Sequence, residues 1–395
     1  MKSPFLFLYN DWCKNWGKCS RQNLIPLIDA ASDFGIKYFV IDAGWLEPSY
    51  EHKKIFEVKK DFFPQGIEEI VSYIKQKGMS PGIWFEFEGA DYEVLSKVMP
   101  DNLLKRDGIV IENMERAFLD FRDPEVITKL KEQVAYFLKE KGFEYIKVDY
   151  NENIGIGCDG AESLGEGLRQ NMLCVQEFFR TIKAINPQLV IEICSSGGMR
   201  TEPSMIALGD QVSFSDIHET EEGAVIAANM HRVLQPSRSQ IWATLRQDDD
   251  IDRLVNTISK AFLGRLCFSG DIELLDSLKK QYVKKAVSLY EKCVPIIKDG
   301  ETFYLTKTVK SIRHLKGYQA VLRQNQNANI AMLVINTFDN NHQQIIIESK
   351  LLDNYKIIDS LLSPEISAEV NKGSMIIKGM KKYNGAVLLL QGENK

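Results

Sequence analysis

The sequence predicts an α/β fold, a closed (β/α)8 barrel followed by a small antiparallel β-sandwich, from three observations. Up to about residue 300, short apolar runs alternate with amphipathic segments, which is typical of a parallel sheet covered by helices. Eight such runs suit a closed barrel better than an open sheet. Beyond residue 301 the runs are short, β-branched and separated by Asn, Asp, Gly and Lys turns. The predicted domains are therefore residues 1–300 and 301–395.

The predicted elements follow from the period at which apolar residues recur. Strands of the barrel are predicted over residues 5–10, 38–43, 82–88, 117–121, 145–150, 190–194, 212–215 and 241–244. Helices are predicted between most of them, and the three-and-four spacing is clearest over 22–34, 67–76 and 125–139. Strands of the sandwich are predicted over 318–323, 330–336, 344–348, 355–358, 375–377 and 386–390. No G-x-G-x-x-G follows a strand and no P-loop motif occurs, which favours the barrel over a nucleotide-binding sheet.

The composition is that of a globular protein without a nucleic-acid or membrane partner. The chain has 395 residues, of which 44% are hydrophobic and 26% charged, and its net charge is −5. An acidic balance argues against nucleic-acid binding, and no apolar run reaches the roughly 18 residues that span a bilayer. The first residues are too weakly apolar for a signal peptide. Seven cysteines without a C-x-x-C spacing favour free thiols, so we expect a cytoplasmic protein.

Polar side chains collect where the predicted barrel strands end. They are Asn10, Asp11, Asp42, Glu86, Glu88, Asp120, Lys147, Asp149, Asn151 and Asp216. In a (β/α)8 barrel the catalytic groups come from this face and are supplied by several strands. One acidic strand end would carry little meaning, but a succession of them predicts an active site.

The segment 147–151, K-V-D-Y-N, is the most informative part of the chain. Side chains alternate along a strand, so Lys147, Asp149 and Asn151 share one face. At the carboxyl end of a parallel strand this face points into a pocket. There Lys147 would keep Asp149 ionised, and Asn151 would hydrogen-bond a substrate hydroxyl. An ordinary salt bridge at a strand end is the alternative, and these residues alone do not decide between the two interpretations.

Three tryptophans, Trp12, Trp45 and Trp84, stand beside these carboxylates. Each taken singly is typical of a core residue. Their shared position favours a sugar, whose hydroxyls need acceptors and whose C–H face stacks on a ring. A metal ion would compete for a carboxylate-rich pocket. No H-x-H or H-E-x-x-H occurs and His218 is the one histidine near the predicted pocket, so we expect no metal and no cofactor.

Four motifs occur in order along the predicted barrel. The segments 63–66 (FPQG) and 82–88 (GIWFEFE) form the first, and KVDYN at 147–151 is the second. CSSGGMR at 194–200 is the third, and SD at 215–216 is the fourth. Together they resemble F-P-x-G…G-L-W-F-E-P-E, K-x-D-x-N, C-x-x-G-x-G-R and S-D of the retaining α-galactosidases of glycoside hydrolase family 36. That family shares a clan with family 27. The resemblance implies the same barrel and C-terminal sandwich.

The resemblance also implies roles for the matched residues. Asp149 would be the nucleophile and Asp216 the general acid/base of a retaining exo-glycosidase acting on terminal α-galactosidic bonds. The subsite for the terminal sugar would be lined by Asp42, Trp45, Trp84, Lys147, Asn151, Cys194, Gly197 and Arg200. The apolar flanks Phe214 and Ile217 would raise the pKa of Asp216, so that it donates a proton near neutral pH.

Two features depart from the family pattern. Many relatives have paired aspartates before Gly-Trp that bind O4 and O6 of galactose, and here the pair is Asp42-Ala43. A sugar without the C6 arm, such as β-L-arabinopyranose, or N-acetylgalactosamine is therefore an alternative to galactose. The barrel is also predicted to begin almost at residue 1. We therefore expect a short form that lacks the family's N-terminal β-sandwich, which leaves the oligomeric state open.

Two other classes of protein stay open beside the glycosidase. The first is a carbohydrate-binding barrel without catalysis, which would have no need for the pair Asp149 and Asp216. The second is a metal-dependent sugar isomerase or lyase, for which the sequence supplies few candidate ligands. In the favoured interpretation the partner is an oligosaccharide or glycoside substrate.

Overall fold

Eight strands form a closed barrel. A computed structural model describes residues 7–393 apart from 220, 221, 308, 310 and 372, so residues 5 and 6 of the first predicted strand lie outside it. In chain order, β1 to β8 are Leu8–Asn10, Tyr38–Ile41, Ser80–Phe85, Tyr145–Val148, Val190–Ile193, Gln211–Ser213, Ser239–Leu245 and Arg265–Gly270. Their order around the barrel follows the chain, and β8 closes on β1. β4 pairs in parallel with β3 and β5. The predicted barrel is confirmed.

One predicted barrel strand was wrong. Residues 117–121 overlap Arg116–Phe118, which belongs to a small antiparallel sheet outside the barrel. Asp120, expected at a barrel strand end, lies beyond that sheet and pairs with Arg122, with 2.6 Å between Oδ2 and Nη2. The eighth barrel strand is instead Arg265–Gly270, which the sequence pattern missed. The other seven predicted strands each overlap a strand of the barrel.

Helices connect the strands of the barrel. They are Trp12–Asn15, Arg21–Asp33, Ile67–Gln76, Tyr92–Val98, Pro124–Leu130, Phe137–Lys141, Leu164–Ile185, Pro203–Ile206, Glu222–Met230, Ile251–Ala261 and Ser277–Asp299. A π-helical turn, Lys131–Tyr136, makes two of these helices continuous. The buried residues of Ile67–Gln76 are all apolar and recur every three or four positions, as the sequence predicted. None of the described helices is long and apolar enough to cross a membrane.

Short strands follow β2 and β3 in the loops at the carboxyl end of the barrel. They form the pair Leu46–Ser49 with Lys54–Val58, the sheet Gly89–Asp91, Arg116–Phe118 and Glu112–Asn113, and the pair Lys105–Arg106 with Ile109–Val110. Arg106 joins the last hairpin to the loop that follows β4. It donates to the carbonyl of Ile154 at 2.5 Å and to that of Gly157 at 3.0 Å. The loops after β3 and β4 are therefore tied to one another.

Two antiparallel sheets form the C-terminal β-sandwich, and this prediction is also confirmed. Strands β9 to β16 are Glu301–Tyr304, Tyr318–Asn325, Ile330–Thr337, His342–Glu348, Tyr355–Leu361, Ser367–Asn371, Ser374–Met380 and Gly385–Gly392. The order β9-β10-β11-β16-β13 makes one sheet and β12-β15-β14 the other. Buried aliphatic side chains of both sheets form a single core, among them Leu322, Leu333, Ile345, Ile377 and Leu388. Strands β9 and β14 were not predicted.

The chain divides into two compact units. The first consists mainly of residues 10–32 and 37–213 and contains β2 to β6. The second consists mainly of the described residues within 7–9, 33–36 and 214–393 and contains β7, β8 and the sandwich strands. The domain boundary expected at residue 300 stays a prediction.

Candidate active site

Asp149 follows β4 directly, and its two carboxylate oxygens accept four N–H groups. Oδ1 accepts the main-chain N–H of Ser196 at 2.8 Å and that of Tyr150 at 2.9 Å. Oδ2 accepts Nε1 of Trp84 at 3.1 Å and Nδ2 of Asn151 at 3.0 Å. Asp149 is only 8% exposed. Several N–H donors hold a carboxylate in its charged form and in one orientation.

The Ser196 donor comes from an unusual turn after β5. Residues 195–198 all have positive φ, from 51° at Ser196 to 108° at the last position. Serine rarely adopts this left-handed region, at roughly 1–3 kcal/mol per strained residue, and such strain persists mainly at functional sites. The turn directs the N–H of Ser196 at Asp149. It also contains Gly197 and follows the buried Cys194, so both predicted ligands lie next to Asp149, where sugar binding by either stays a prediction.

Lys147 and Asp42 form a buried ion pair in the same cluster. Nζ of Lys147 lies 2.7 Å from Oδ2 of Asp42, and the two side chains are 5% and 3% exposed. Nδ2 of Asn10 donates to the same oxygen at 2.6 Å. β2 and β4 thus bring together residues that are 105 positions apart in the sequence, as the predicted strand ends implied.

The charges of this cluster set the ionisation of Asp149. Burial raises its pKa, but the positive charge of Lys147 and the N–H donors outweigh burial, so the pKa lies below its ordinary value of 3.8. For Lys147, burial lowers the pKa, and the negative charge of Asp42 raises it well above 10.5. At neutral pH Asp149 is therefore a carboxylate and Lys147 an ammonium ion.

Asn151 connects Asp149 to a second buried carboxylate. Its Nδ2 donates to Oε2 of Glu86 at 2.8 Å, in addition to its bond with Asp149, and its main-chain N–H donates to Oε1 of Glu86 at 2.9 Å. Nη2 of Arg116 lies 2.7 Å from Oε2 of Glu86. The amide N–H groups of Asn151 are thus used by carboxylates, and the expected hydrogen bond between Asn151 and a sugar hydroxyl stays a prediction.

Arg200 is held by a buried carboxylate and an aromatic ring. Its Nη1 and Nη2 pair with the two oxygens of Glu88, the second at 2.8 Å. Its guanidinium group lies over the ring of Tyr150, with Cζ 3.6 Å from the ring centroid. Because both terminal nitrogens bind Glu88, this geometry favours a positioning role. Sugar binding by Arg200 stays a prediction.

Two of the three tryptophans that were expected to face a sugar, Trp45 and Trp84, differ in their surroundings. Trp84 is partly exposed and donates to Asp149. Trp45 is 1% exposed, and its ring stacks on Phe137 with 5.4 Å between centroids. Its Nε1 donates to the main-chain carbonyl of Trp84 at 2.8 Å. Trp45 is therefore part of the core and offers no ring face to a sugar, contrary to the expectation.

Asp216 lies in the segment that follows β6. Its side chain is 51% exposed, and its Oδ1 lies 4.0 Å from Nε2 of His218. The predicted apolar enclosure by Phe214 and Ile217 is therefore incomplete, because half of the carboxyl side chain faces solvent. Its role as general acid/base stays a prediction.

Sequence reasoning assigned no role to the buried Glu192 of β5. Glu192 is 1% exposed and accepts the hydroxyls of Tyr145 and Ser213. It pairs in register with Lys147, and burial raises its pKa. A lone glutamate inside an apolar strand was the signal that could have found it. Within the described part of the chain, no group of three or more His, Cys, Asp or Glu side chains can hold a metal ion.

Fold and site together define a class of protein, a (β/α)8 barrel with a buried, ionised carboxylate and a lysine at the carboxyl ends of its strands. Residues 2–300 match the family model described as Melibiase. The chain belongs to this family, and the resemblance stated from four motifs is confirmed.

Individual relatives agree with this assignment. α-Galactosidase 1 of Pediococcus pentosaceus is 26% identical over 313 residues, which cover 76% of this chain and 43% of that protein. The GH36 α-galactosidase AgaA of Geobacillus stearothermophilus, solved with 1-deoxygalactonojirimycin, superposes with a TM-score of 0.83 at 20% identity over 98% of this chain and 55% of that chain. An α-amylase of Anoxybacillus superposes with a TM-score of 0.66 at 11% identity over 99% of both chains. The structural likenesses show the fold, and the chain spans about half the length of the α-galactosidases it matches.

Proposed function

We propose that this chain is a retaining exo-glycosidase that hydrolyses terminal α-galactosidic bonds through a covalent glycosyl-enzyme intermediate. The observation that carries the proposal is Asp149, a buried carboxylate kept ionised by Lys147 and four N–H donors. A retaining glycosidase needs such a nucleophile beneath the anomeric carbon. Membership of the Melibiase family and α-galactosidase relatives support the choice of sugar and bond.

The proposed reaction has two displacements. In the first, Asp149 bonds the anomeric carbon while the glycosidic C–O bond breaks, and Asp216 gives its proton to the leaving oxygen. In the second, Asp216 takes a proton from water, whose oxygen bonds the anomeric carbon as the bond to Asp149 breaks. Two inversions give net retention, which requires the two carboxyl groups to lie roughly 5–5.5 Å apart.

The four N–H donors act differently on the two displacements. They stabilise the negative charge of Asp149, which makes it a weaker nucleophile in the first displacement. In the second displacement the same donors stabilise the carboxylate as it leaves. The low pKa of Asp149 thus favours breakdown of the intermediate, and it also keeps the nucleophile ionised below neutral pH.

The sugar is proposed to be galactose, with a related sugar as the second candidate. Relatives of this fold were solved with raffinose and with stachyose, which supports an oligosaccharide substrate with a terminal galactose. The observation that favours the second candidate is Ala43, which supplies a methyl group where family members carry a second aspartate. Oδ2 of Asp42 accepts from Lys147 and Asn10, and Oδ1 accepts the main-chain N–H of Ala43, so most of the capacity of Asp42 is used within the protein. β-L-arabinopyranose has no C6 arm, and N-acetylgalactosamine is the other candidate.

The test is the Asp149→Ala variant assayed on nitrophenyl glycosides of α-galactose, β-L-arabinopyranose, α-N-acetylgalactosamine and α-glucose. We expect turnover to fall by at least roughly 1,000-fold on whichever glycoside the unchanged chain hydrolyses, because the covalent step is lost. Azide should restore part of the rate and give a glycosyl azide of inverted configuration. Full activity in the variant would refute the assignment of Asp149.

The same panel separates the remaining classes. Binding of galactose measured by calorimetry, without hydrolysis of any glycoside, would favour a non-catalytic carbohydrate-binding barrel. Loss of activity on EDTA treatment would favour a metal-dependent isomerase or lyase. For location we propose the cytoplasm, supported by seven cysteines, an odd number, without a C-x-x-C spacing.

A further inference from the structure

We propose that Asn151 is a positioning residue for Asp149, held in place by Glu86 and Arg116. This inference rests on the proposed function, since it concerns how the nucleophile is oriented. The three residues form one chain of contacts that ends at Oδ2 of Asp149. We call Arg116, Glu86 and Asn151 the positioning chain.

The first step is the clasp between Glu86 and Asn151. Oε1 of Glu86 accepts the main-chain N–H of Asn151 at 2.9 Å, and Oε2 accepts its Nδ2 at 2.8 Å. Two bonds from one carboxylate fix both the backbone and the amide plane of Asn151. The second N–H of that amide points to Oδ2 of Asp149 at 3.0 Å. A primary amide has only two N–H groups, so both are used to hold the two carboxylates, and only its oxygen stays available to accept from a sugar hydroxyl.

The second step is the orientation of Asp149. Its Oδ1 is held by two main-chain donors, whereas its Oδ2 is held by two side chains, Trp84 and Asn151. Main-chain donors at one oxygen still allow the carboxylate plane to turn about them. The donors at Oδ2 remove that freedom, and Asn151 can do so only while Glu86 holds its amide. A displacement of about 1 Å in a reacting group commonly costs 100-fold in rate.

The third step concerns charge. Glu86 is 4% exposed, and burial raises its pKa, while the positive charge of Arg116 lowers it. Its negative charge also faces Asp149, and each of these carboxylates disfavours ionisation of the other. Arg116, whose Nη2 lies 2.7 Å from Glu86, offsets that repulsion. The positioning chain thus gives Asp149 a hydrogen-bond donor, Asn151, while Arg116 compensates the negative charge of Glu86.

Several charged groups around Asp149 determine how its ionisation depends on pH. Lys147 and Glu86 face Asp149, and Asp42, Glu192 and Cys194 act on Lys147. Arg116 is also 3.7 Å from the exposed Asp91. Of these groups, only Glu86 and Arg116 change the field at Asp149 when the positioning chain is altered.

The experiment compares Asn151→Ala and Glu86→Gln, singly and together, with the unchanged chain. We expect Asn151→Ala to lower kcat by roughly 10- to 100-fold on every accepted glycoside, with KM changed by less than about threefold. The acid limb of kcat/KM should move to higher pH, because loss of a donor raises the pKa of Asp149. Glu86→Gln should lower kcat less, and the double variant should lose less than the product of the two single losses.

Asn102 offers a matched control. It is a buried asparagine whose Nδ2 also bridges two carboxylates, at 2.7 Å from Asp123 and 3.4 Å from Glu125. Asn102→Ala should keep the kcat and pH profile of the unchanged chain, even with a comparable loss of thermal stability. If Asn151→Ala does not fold, Arg116→Gln at the partly exposed end of the chain provides the readout, and its acid limb should also move to higher pH.

Two results would overturn the inference. A higher KM with unchanged kcat, restricted to one sugar, would make Asn151 a substrate ligand. Unchanged kcat and pH profile in Glu86→Gln would show that the clasp does not act on Asp149. Failure of the proposed function is seen separately, because the unchanged chain would then hydrolyse no glycoside or Asp149→Ala would stay active.

Discussion

Asp11 illustrates how burial sets the charge of a single side chain beside the site. It is 1% exposed, and burial raises its pKa from 3.8 to about 7. The main-chain N–H of Asp42 at 2.6 Å and Nδ2 of Asn15 at 2.7 Å lower the pKa but do not offset burial. The charge of Asp42 adds to the effect of burial, and that of Lys147 opposes it. Asp11 is thus a carboxyl that titrates close to neutral pH.

We predict that Asp11 makes the free energy of unfolding decrease as the pH rises from about 4 to about 7. In that window the folded state binds a proton that the unfolded state has released, because the folded pKa lies above the unfolded value. The loss is complete above the folded pKa and amounts to roughly 3–5 kcal/mol. Asp11→Asn should remove this component. Urea unfolding of both proteins across the window measures it as a pH-dependent difference.

The control for Asp11→Asn is Asp61→Asn, at an exposed aspartate. Its unfolding free energy should keep the pH dependence of the unchanged chain over the same window. If Asp11→Asn showed that dependence too, burial would not be what holds the proton on Asp11.

Trp45 is a residue whose orientation could not be predicted from the sequence. Alternation along a strand placed Lys147 and Asp149 on one face, which agrees with the positive charge of Lys147 lowering the pKa of Asp149. Trp45 lies beyond a strand, and Gly44 before it has φ of 106°. A Cβ on Gly44 would lie 2.1 Å from the carbonyl oxygen of Gly17, so the backbone turns there in a way only glycine permits. The direction of that turn sends the indole into the core, and no sequence period encodes it.

Among the elements, the missed eighth strand has a physical cause. Arg265–Gly270 is buried throughout, although it contains an arginine and a serine that interrupt the apolar run. Its polarity is satisfied by tertiary contacts, since Arg265 donates from Nε to the carbonyl of Ser237 at 2.5 Å. The residues at 117–121 have a cleaner apolar pattern, yet their neighbours in space are short loop strands. The apolar pattern of a segment indicates that it is buried but does not indicate which strand it pairs with. The number of barrel strands was therefore predictable, whereas which segments form them was predictable only in part.

The C-terminus of helix Ser277–Asp299 depends on one buried side chain of the sandwich. Arg323 is 3% exposed and donates from Nη2 to the carbonyls of Ile296 and Ile297, each at 3.2 Å, and of Gly300 at 2.5 Å. The carbonyl of Ile296 also accepts the main-chain N–H of Gly300 at 2.8 Å, whereas that of Ile297 is among the last carbonyls of a helix, which have no partner within it. Burial lowers the pKa of Arg323 to about 10, so it stays charged at neutral pH.

We predict that Arg323→Met lowers the free energy of unfolding by roughly 2–4 kcal/mol, because several buried carbonyls lose their donor together. Arg323→Lys should lose less, since it keeps the charge and one or two of the bonds. Denaturant unfolding monitored by circular dichroism measures both values. Arg313→Met, at an exposed arginine, is the control and should change the value by less than about 0.5 kcal/mol. An effect of Arg323→Met no larger than that would mean that water replaces the cap.

For the molecule as a whole, the fold does not determine the substrate. The same barrel and sandwich superpose on an α-amylase over 99% of both chains at 11% identity, and on a GH36 α-galactosidase with a higher TM-score. A shared architecture therefore admits different glycosidic bonds, and specificity has to come from side chains at the strand ends. In this chain the side chains at the strand ends include Asp42, Lys147 and Asp149, which the motifs made predictable, and their part in specificity stays a prediction. The hydrogen bonds of Asn151 with Glu86 and of Arg200 with Glu88 depend on loop paths that the motifs do not encode.

Binding of a ligand at the site should raise the thermal stability of the whole chain. 1-Deoxygalactonojirimycin, which AgaA was solved with, is a galactose-shaped amine that is protonated near neutral pH. In the proposed pocket its ammonium group would lie beside the ionised Asp149, and its hydroxyls beside Asp42. A ligand that binds only the folded state at 100 times its Kd adds about 2.7 kcal/mol, a rise in Tm of roughly 3–5 °C for a chain of this size. Thermal unfolding measured over increasing ligand concentration gives this shift. We expect the shift to vanish in Asp149→Ala and to be much smaller with 1-deoxynojirimycin, the glucose-shaped epimer. Equal shifts with both epimers would mean that the pocket does not distinguish the axial from the equatorial hydroxyl at C4, and the proposal of a galactose-shaped substrate would then be wrong.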